Sequence, residues 1–155
     1  MNIQFKKLID GLEPAFQRMK AMKPMDITNL PKDMPSAGIY ALYESGRPMY
    51  IGRSNRMRLR LQEHCRPSSN HNKAAFAFRL AREDTGNINA TYSSKGSRAM
   101  LEEDPVFRKS FDQAKKRVRA MKVKYVSEKD PLRQYLLEIY IWLSTKAKYN
   151  DFDTH

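Results

Sequence analysis

Two short runs of branched and aromatic residues constrain this chain more than any other feature. Gly38-Ile-Tyr-Ala-Leu-Tyr43 and Met49-Tyr-Ile-Gly52 carry side chains that favour strands. Between them, Glu44-Ser-Gly-Arg-Pro48 holds the Gly and Pro of a turn. The spacing predicts an antiparallel hairpin with a loop of about five residues. With the turn centred near Ser45–Gly46, Tyr40 and Tyr50 become cross-strand neighbours and project from one face. Taken alone, the pair reads as two aromatics packing in a core.

The rest of the chain adds helices around this hairpin. Apolar positions at Ile3, Phe5, Leu8, Ile9, Leu12, Phe16, Met19 and Met22 recur at near-helical spacing. Gly11 and Pro14 interrupt them, which predicts two short helices or one broken helix. Pro24, Pro31 and Pro35 mark an extended linker, so residues 1–36 read as an N-terminal helical extension. Ser54 is a candidate N-cap for a helix to about Cys65. Pro67 and a polar run containing His71, expected to be solvated, end that helix. Lys73 to Arg82 predicts another, with Phe76, Phe78 and Leu80 as packing residues. Asp84 to Ser97 reads as a loop. Pro105 to Arg119 looks helical, with Val106, Phe107, Phe111, Ala114 and Val118 on one side. Met121 to Val126 alternates and predicts a strand. Asp130-Pro131 is a strong helix start. The last helix, Leu132 to about Lys146, is apolar nearly all round and is expected to be buried. The order predicts an α+β domain: a small three-stranded antiparallel sheet flanked by helices. That domain spans 37–155, with a helical and loop insertion at about 66–120.

Composition narrows the function classes. The chain has 155 residues, 41% of them hydrophobic, which suits one folded domain and excludes wholesale disorder. No apolar run nears the roughly 20 residues that span a bilayer. Lys6, Lys7, Asp10 and Glu13 break any signal-peptide pattern. A lone cysteine, Cys65, excludes an intramolecular disulfide and a Cys-rich zinc site, and points to a reducing, cytoplasmic setting. Against 17 Asp+Glu stand 29 Lys+Arg, a net charge of +12 that suggests a polyanionic partner. From Arg47 to Arg82 there are nine basic residues and one acid, Glu63. From Arg98 to Lys124 there are nine and four.

Arg60 and His64 stand i, i+4 on the helix expected after Ser54, so they form one ridge. Arg56 and Arg53 extend it toward the helix start. Arginine suits phosphate because its planar fork makes bidentate contacts. Glu138 interrupts the apolar run Tyr135 to Leu143. A carboxylate there is costly unless it is paired, metal-bound or at a cleft edge. Asp151 and Asp153 read as a frayed tail, with His155 at its end.

Gly38-Ile39-Tyr40 and Tyr50-Ile51-Gly52 resemble the GIY-YIG endonuclease family, whose name spells these two tripeptides. Arg60 lies ten residues past Tyr50, and His64 four residues further, as in that family's helix. Glu138 sits in a late helix, and Asn150 follows twelve residues later. The resemblance covers about residues 37–150. It implies a compact, restriction-enzyme-like member that hydrolyses DNA phosphodiesters with Mg²⁺ (or Mn²⁺). Glu138 would be the metal ligand and Tyr40 the general base. Tyr50 would orient water or phosphate, and Arg60 would hold the scissile phosphate. His64 would orient a tyrosine hydroxyl or help a proton leave, and Asn150 would hold the neighbouring geometry. Arg53, Arg56, Lys73, Arg117 and Arg119 are the candidate nucleic-acid contacts. DNA is the expected partner, with RNA left open and no membrane. A homodimer would suit cutting both strands of a palindrome. The alternative is an inactive or regulatory nucleic-acid-binding protein that keeps the nuclease fold.

Overall fold

The structure is a computed structural model and describes residues 1–87, 97–150 and 152. Asp151, Asp153, His155 and most of the expected 84–97 loop lie outside the described residues. The chain forms two compact units. One combines Met1–Arg58 with Met121–His155, and the other is Leu59–Ala120.

The first unit is built on a sheet. Its strands are β1 (Met25–Asp26), β2 (Gly38–Glu44), β3 (Arg47–Ser54) and β4 (Lys122–Ser127). All pairings are antiparallel, in the order β1-β4-β2-β3. Among the described residues the fold is α+β with four strands rather than the expected three. The extra strand comes from the proline-marked linker, where Met25 pairs with Val123 and Asp26 with Lys122.

The hairpin also differs from expectation. Ser45 (φ 51°) and Gly46 (φ 75°) both take positive φ, and Glu44 pairs directly with Arg47. This is the two-residue turn whose twist matches that of the strands, not a five-residue loop.

Two helices, α1 (Ile3–Asp10) and α2 (Leu12–Ala21), precede the sheet, and α7 (Pro131–Thr145) follows it. Gly11 separates the first two, and Pro14 falls in the opening turn of α2, where its missing N–H costs little. Leu12, Ala15, Phe16 and Met19 of α2 join Leu137 and Ile141 of α7 against Ile39, Ala41, Ile51 and Val126 of the sheet. The N-terminal helices thus share the sheet's core. Each large aliphatic buried there contributes about 1.5–3 kcal/mol before entropy is charged against it. Asp130 caps α7 by accepting from the Arg133 N–H at 2.9 Å. Contrary to expectation, α7 is not buried all round. Leu137 and Ile141 are inaccessible, whereas Leu132, Tyr135, Ile139 and Leu143 are exposed. The helix covers the sheet with one stripe, and its outer stripe faces away.

The second unit is helical. It holds all but the first two residues of α3 (Met57–Cys65), then α4 (Ala75–Thr85), α5 (Arg98–Glu103) and α6 (Pro105–Arg119). Its centre is a triangle of rings. Phe78 lies 4.9 Å from Phe107 and 5.4 Å, edge-on, from Phe111. Such pairs add about 0.5–1.5 kcal/mol beyond area burial. Val106, expected on the packed side of α6, is 74% exposed, because Asp104 caps the helix through the Val106 and Phe107 N–H groups and Phe107 is the first residue turned inward. Among the described residues, no helix is long and apolar enough to cross a membrane.

Candidate functional site

The two tyrosines of the hairpin meet because of a bulge. From the turn, Tyr43 pairs with Pro48, but Leu42 then pairs with Tyr50 and Tyr40 with Gly52. The register therefore skips Met49. Without that extra residue Tyr40 would oppose Ile51, and Tyr50 would fall on the other face. With it, the tyrosines are diagonal neighbours on one face rather than directly opposite. Their ring centroids are 6.4 Å apart at a 38° tilt.

The motif glycines make room for this packing. A Cβ on Gly52 would stand 2.3 Å from the ring and hydroxyl of Tyr40, so the phenol rests where a side chain would be. A Cβ on Gly38 would meet the carbonyl oxygen of Val126 at 2.0 Å, which ties that glycine to the β2–β4 ladder. Tyr40 is 1% exposed, and Tyr50 is half-buried. Sequence reasoning passed over Tyr125. It pairs with Tyr40 across β4 and so lies on the same face. Its alternation with Val123 was the available signal. Burial first, then Asp33, raise its pKa, while Arg58 pulls it back.

Glu138 has a partner that neither helix periodicity nor strand alternation could show. The Arg53 Nε–H donates to its Oε2 at 2.9 Å. The same guanidinium lies 3.6 Å from the ring centroid of Tyr135. Burial pushes the Glu138 carboxyl above its ordinary range, and Arg53 offsets part of that rise. Arg53 is a residue of β3 and not of the helical ridge expected from its spacing to Arg60. Arg56, also placed on that ridge, precedes α3, and its N–H donates to Ser54 Oγ.

Asn150 is a backbone clamp. Its Oδ1 accepts from the Ile51 N–H at 2.8 Å, and its Nδ2 donates to the Ile51 carbonyl at 2.7 Å. The Tyr149 N–H adds a bond to the Met49 carbonyl. These contacts satisfy the outer edge of β3, the kind of unpaired backbone that otherwise recruits other chains. The side-chain amide is engaged on both sides, so Asn150 positions the hairpin.

Arg60 and His64 belong to the helical unit. The Arg60 guanidinium donates to the Lys73 carbonyl at 2.7 Å and stands 3.5 Å from Glu63. His64 is completely buried, and burial, aided by Arg60, lowers its pKa to about 3. At neutral pH the ring is therefore uncharged. His71, expected to be solvated, instead meets Glu102 through Nδ1 at 2.5 Å. Lys73 and Arg119 are exposed, and Arg117 is half-buried. Lys115, read only as one of many basic residues, is 2% exposed and donates to the carbonyls of Pro67 and Ser69.

No three His, Cys, Asp or Glu residues cluster as a metal cage among the described residues. The single carboxylate of Glu138 is nonetheless a hard oxygen donor. That donor set suits an ion such as Mg²⁺, which keeps several waters and takes one or two carboxylates. It does not suit a closed four-ligand zinc site. Comparison of the chain with protein-family models, with curated proteins and with solved structures gives no match in any of the three.

Proposed function

We propose that this chain is a metal-dependent endonuclease of the GIY-YIG type, acting on phosphodiester bonds of DNA. The observation that carries the reading is the tilted Tyr40–Tyr50 pair, with Tyr40 seated over Gly52, so that motif residues explain one another's presence. Strand aromatics in general do not require a bulge and a bare Cα to sit together. The excess of positive charge supports an anionic substrate.

In this reading Glu138 is the carboxylate that would hold Mg²⁺ or Mn²⁺. When bound, such an ion would polarise a phosphoryl oxygen and offset the charge of the transition state. Tyr40 takes the proton from the attacking water, and Tyr50 orients that water or the phosphate. An ordinary phenol has a pKa of about 10, so a nearby cation must favour its ionised form. Arg60 is assigned to the phosphate on the resemblance alone. His64 is likewise assigned to orienting a hydroxyl on the resemblance alone, and, being neutral at pH 7, it is not a source of positive charge. Arg53, Arg56, Lys73, Arg117 and Arg119 supply backbone contacts to the nucleic acid, which position without reading sequence.

The test is nicking of supercoiled plasmid with Mg²⁺. Tyr40→Phe and Glu138→Ala are each expected to lower the rate at least about 100-fold. Wild-type cleavage by both variants would sink the mechanism. A second reading draws on the near-complete burial of Tyr40 and His64. It holds that these residues support the core of a nucleic-acid-binding protein without turnover. Salt-sensitive binding of a DNA duplex, with no nicking under Mg²⁺ or Mn²⁺, would favour it.

A further inference from the structure

We propose that Arg53 is an exchangeable counter-ion for Glu138, so that divalent-cation binding at this carboxylate and phosphate binding at the β3 edge are coupled through one side chain. The proposal rests on reading Glu138 as the metal ligand and adds the regulation of that ligand.

The geometry is specific. Arg53 lies on the edge strand, opposite Ile39 of β2 and two residues past the Ile51 clamp. Its guanidinium donates to Glu138 Oε2 at 2.9 Å and stacks 3.6 Å from the centroid of Tyr135. Tyr135 and Glu138 are i, i+3 on α7 and therefore present ring and carboxylate side by side. The arginine side chain is 35% exposed and the carboxylate 16%. The guanidinium thus has the freer path into solvent.

A half-buried carboxylate without a cation is unfavourable, and Arg53 removes that cost. A divalent ion at the same oxygens must displace the guanidinium or sit beside it and be repelled. The released guanidinium is weakly hydrated and planar, and it matches two phosphate oxygens at once. Metal at Glu138 would therefore raise phosphate affinity at Arg53. By linkage, phosphate at Arg53 must raise metal affinity at Glu138 by the same factor.

The experiment measures Mn²⁺ binding to the full chain by titration calorimetry, without nucleic acid. Circular dichroism of each variant checks that it folds. Glu138→Gln is expected to abolish binding at this site. Arg53→Gln is expected to tighten it about tenfold, within the range of ordinary coupling energies. Arg53→Lys keeps the charge and loses the flat stack on Tyr135, and should fall between wild type and Arg53→Gln. A second arm follows a fluorescent DNA duplex by anisotropy with Ca²⁺ present or absent. Ca²⁺ should strengthen wild-type binding and leave Arg53→Gln unchanged. Equal or weaker Mn²⁺ affinity in both Arg53 variants, with Glu138→Gln still abolishing binding, would overturn the exchange and leave the metal ligand standing. Mn²⁺ binding that survives Glu138→Gln would overturn both.

Discussion

In the helical unit the buried Lys115 donates to two carbonyl oxygens, with Asp112 Oδ1 3.4 Å away, whereas in the sheet unit Arg53 ends on a carboxylate. The contrast extends further. Arg60 and Arg82 of the helical unit donate to the carbonyls of Lys73 and Asn87. These cations cap loop backbone that no helix or strand satisfies, a demand that buried carbonyls make everywhere. In the sheet unit the ladder satisfies most of the backbone, and polar side chains gather at the outer edge of β3. Arg58 and Lys124 are exceptions there, since Arg58 donates to the carbonyls of Leu30 and Pro31 and Lys124 to that of Lys20. A count of basic residues therefore overstates the donors free to meet phosphate. Three of the nine in Arg47–Arg82 already serve backbone carbonyls, although their charge still adds to the long-range field.

The sharpest way to break this comparison is to empty the aromatic centre of the helical unit. Phe111→Ala should cost about 4 kcal/mol, as large-to-small changes in tight cores do. Hydrogen exchange should then show α4 and α6 losing protection while β2 and β3 keep theirs. Equal loss in both would mean that the two units unfold as one. Lys115→Met keeps the volume and strands two carbonyls, and should cost about 3 kcal/mol in urea unfolding. A loss near zero would show that water replaces the ammonium and that the buried cation is incidental.

The buried imidazole adds a pH dependence. His64 resists protonation when folded, with a pKa of about 3, against about 6.5 in the unfolded chain. The unfolded state therefore binds the extra proton, and its contribution to stability is lost as pH falls from about 6.5 toward 3. Between pH 7 and pH 5 the loss should be about 2 kcal/mol. His64→Gln should flatten that part of the profile, and an unchanged slope would place the acid sensitivity elsewhere.

Which of these features could be read in the sequence depended on distance along the chain. The hairpin was legible because alternation and turn residues are local, and Asp130-Pro131 announced α7 for the same reason. The two-residue strand β1 was not, because Met25-Asp26 is too short to alternate. The helix α5 is six residues long and was missed on the same ground. The bulge at Met49 follows from the sheet's register, which no single strand encodes, and it decides how the tyrosines meet. Arg53 was misplaced because the charged residues after Gly52 look like the beginning of a helix. Its bond to Glu138 spans 85 positions, beyond any local period. The identities of the motif residues were therefore visible, but the partners that hold them were not.

The smallest expected effect tests the edge of the sheet unit. Asn150→Ala removes one acceptor and one donor from Ile51 and should cost about 1–2 kcal/mol, since water can reach part of this edge. Asn150→Asp is the more informative change. Its carboxylate can still accept from the Ile51 N–H, but it now faces the Ile51 carbonyl with a second acceptor. If the clamp works through its donor half, the Asp variant should be no better than Ala at neutral pH and should gain stability as pH falls toward about 4, because a carboxyl facing a carbonyl takes up its proton in the folded chain above the ordinary carboxylate range. If the acceptor half dominates, the Asp variant should resemble wild type at neutral pH. Unfolding of the three proteins in urea at pH 7 and pH 3.5, each compared with wild type at the same pH, separates these outcomes. Either result shows whether β3 is held at the residue before Gly52 strongly enough to fix the floor beneath Tyr40.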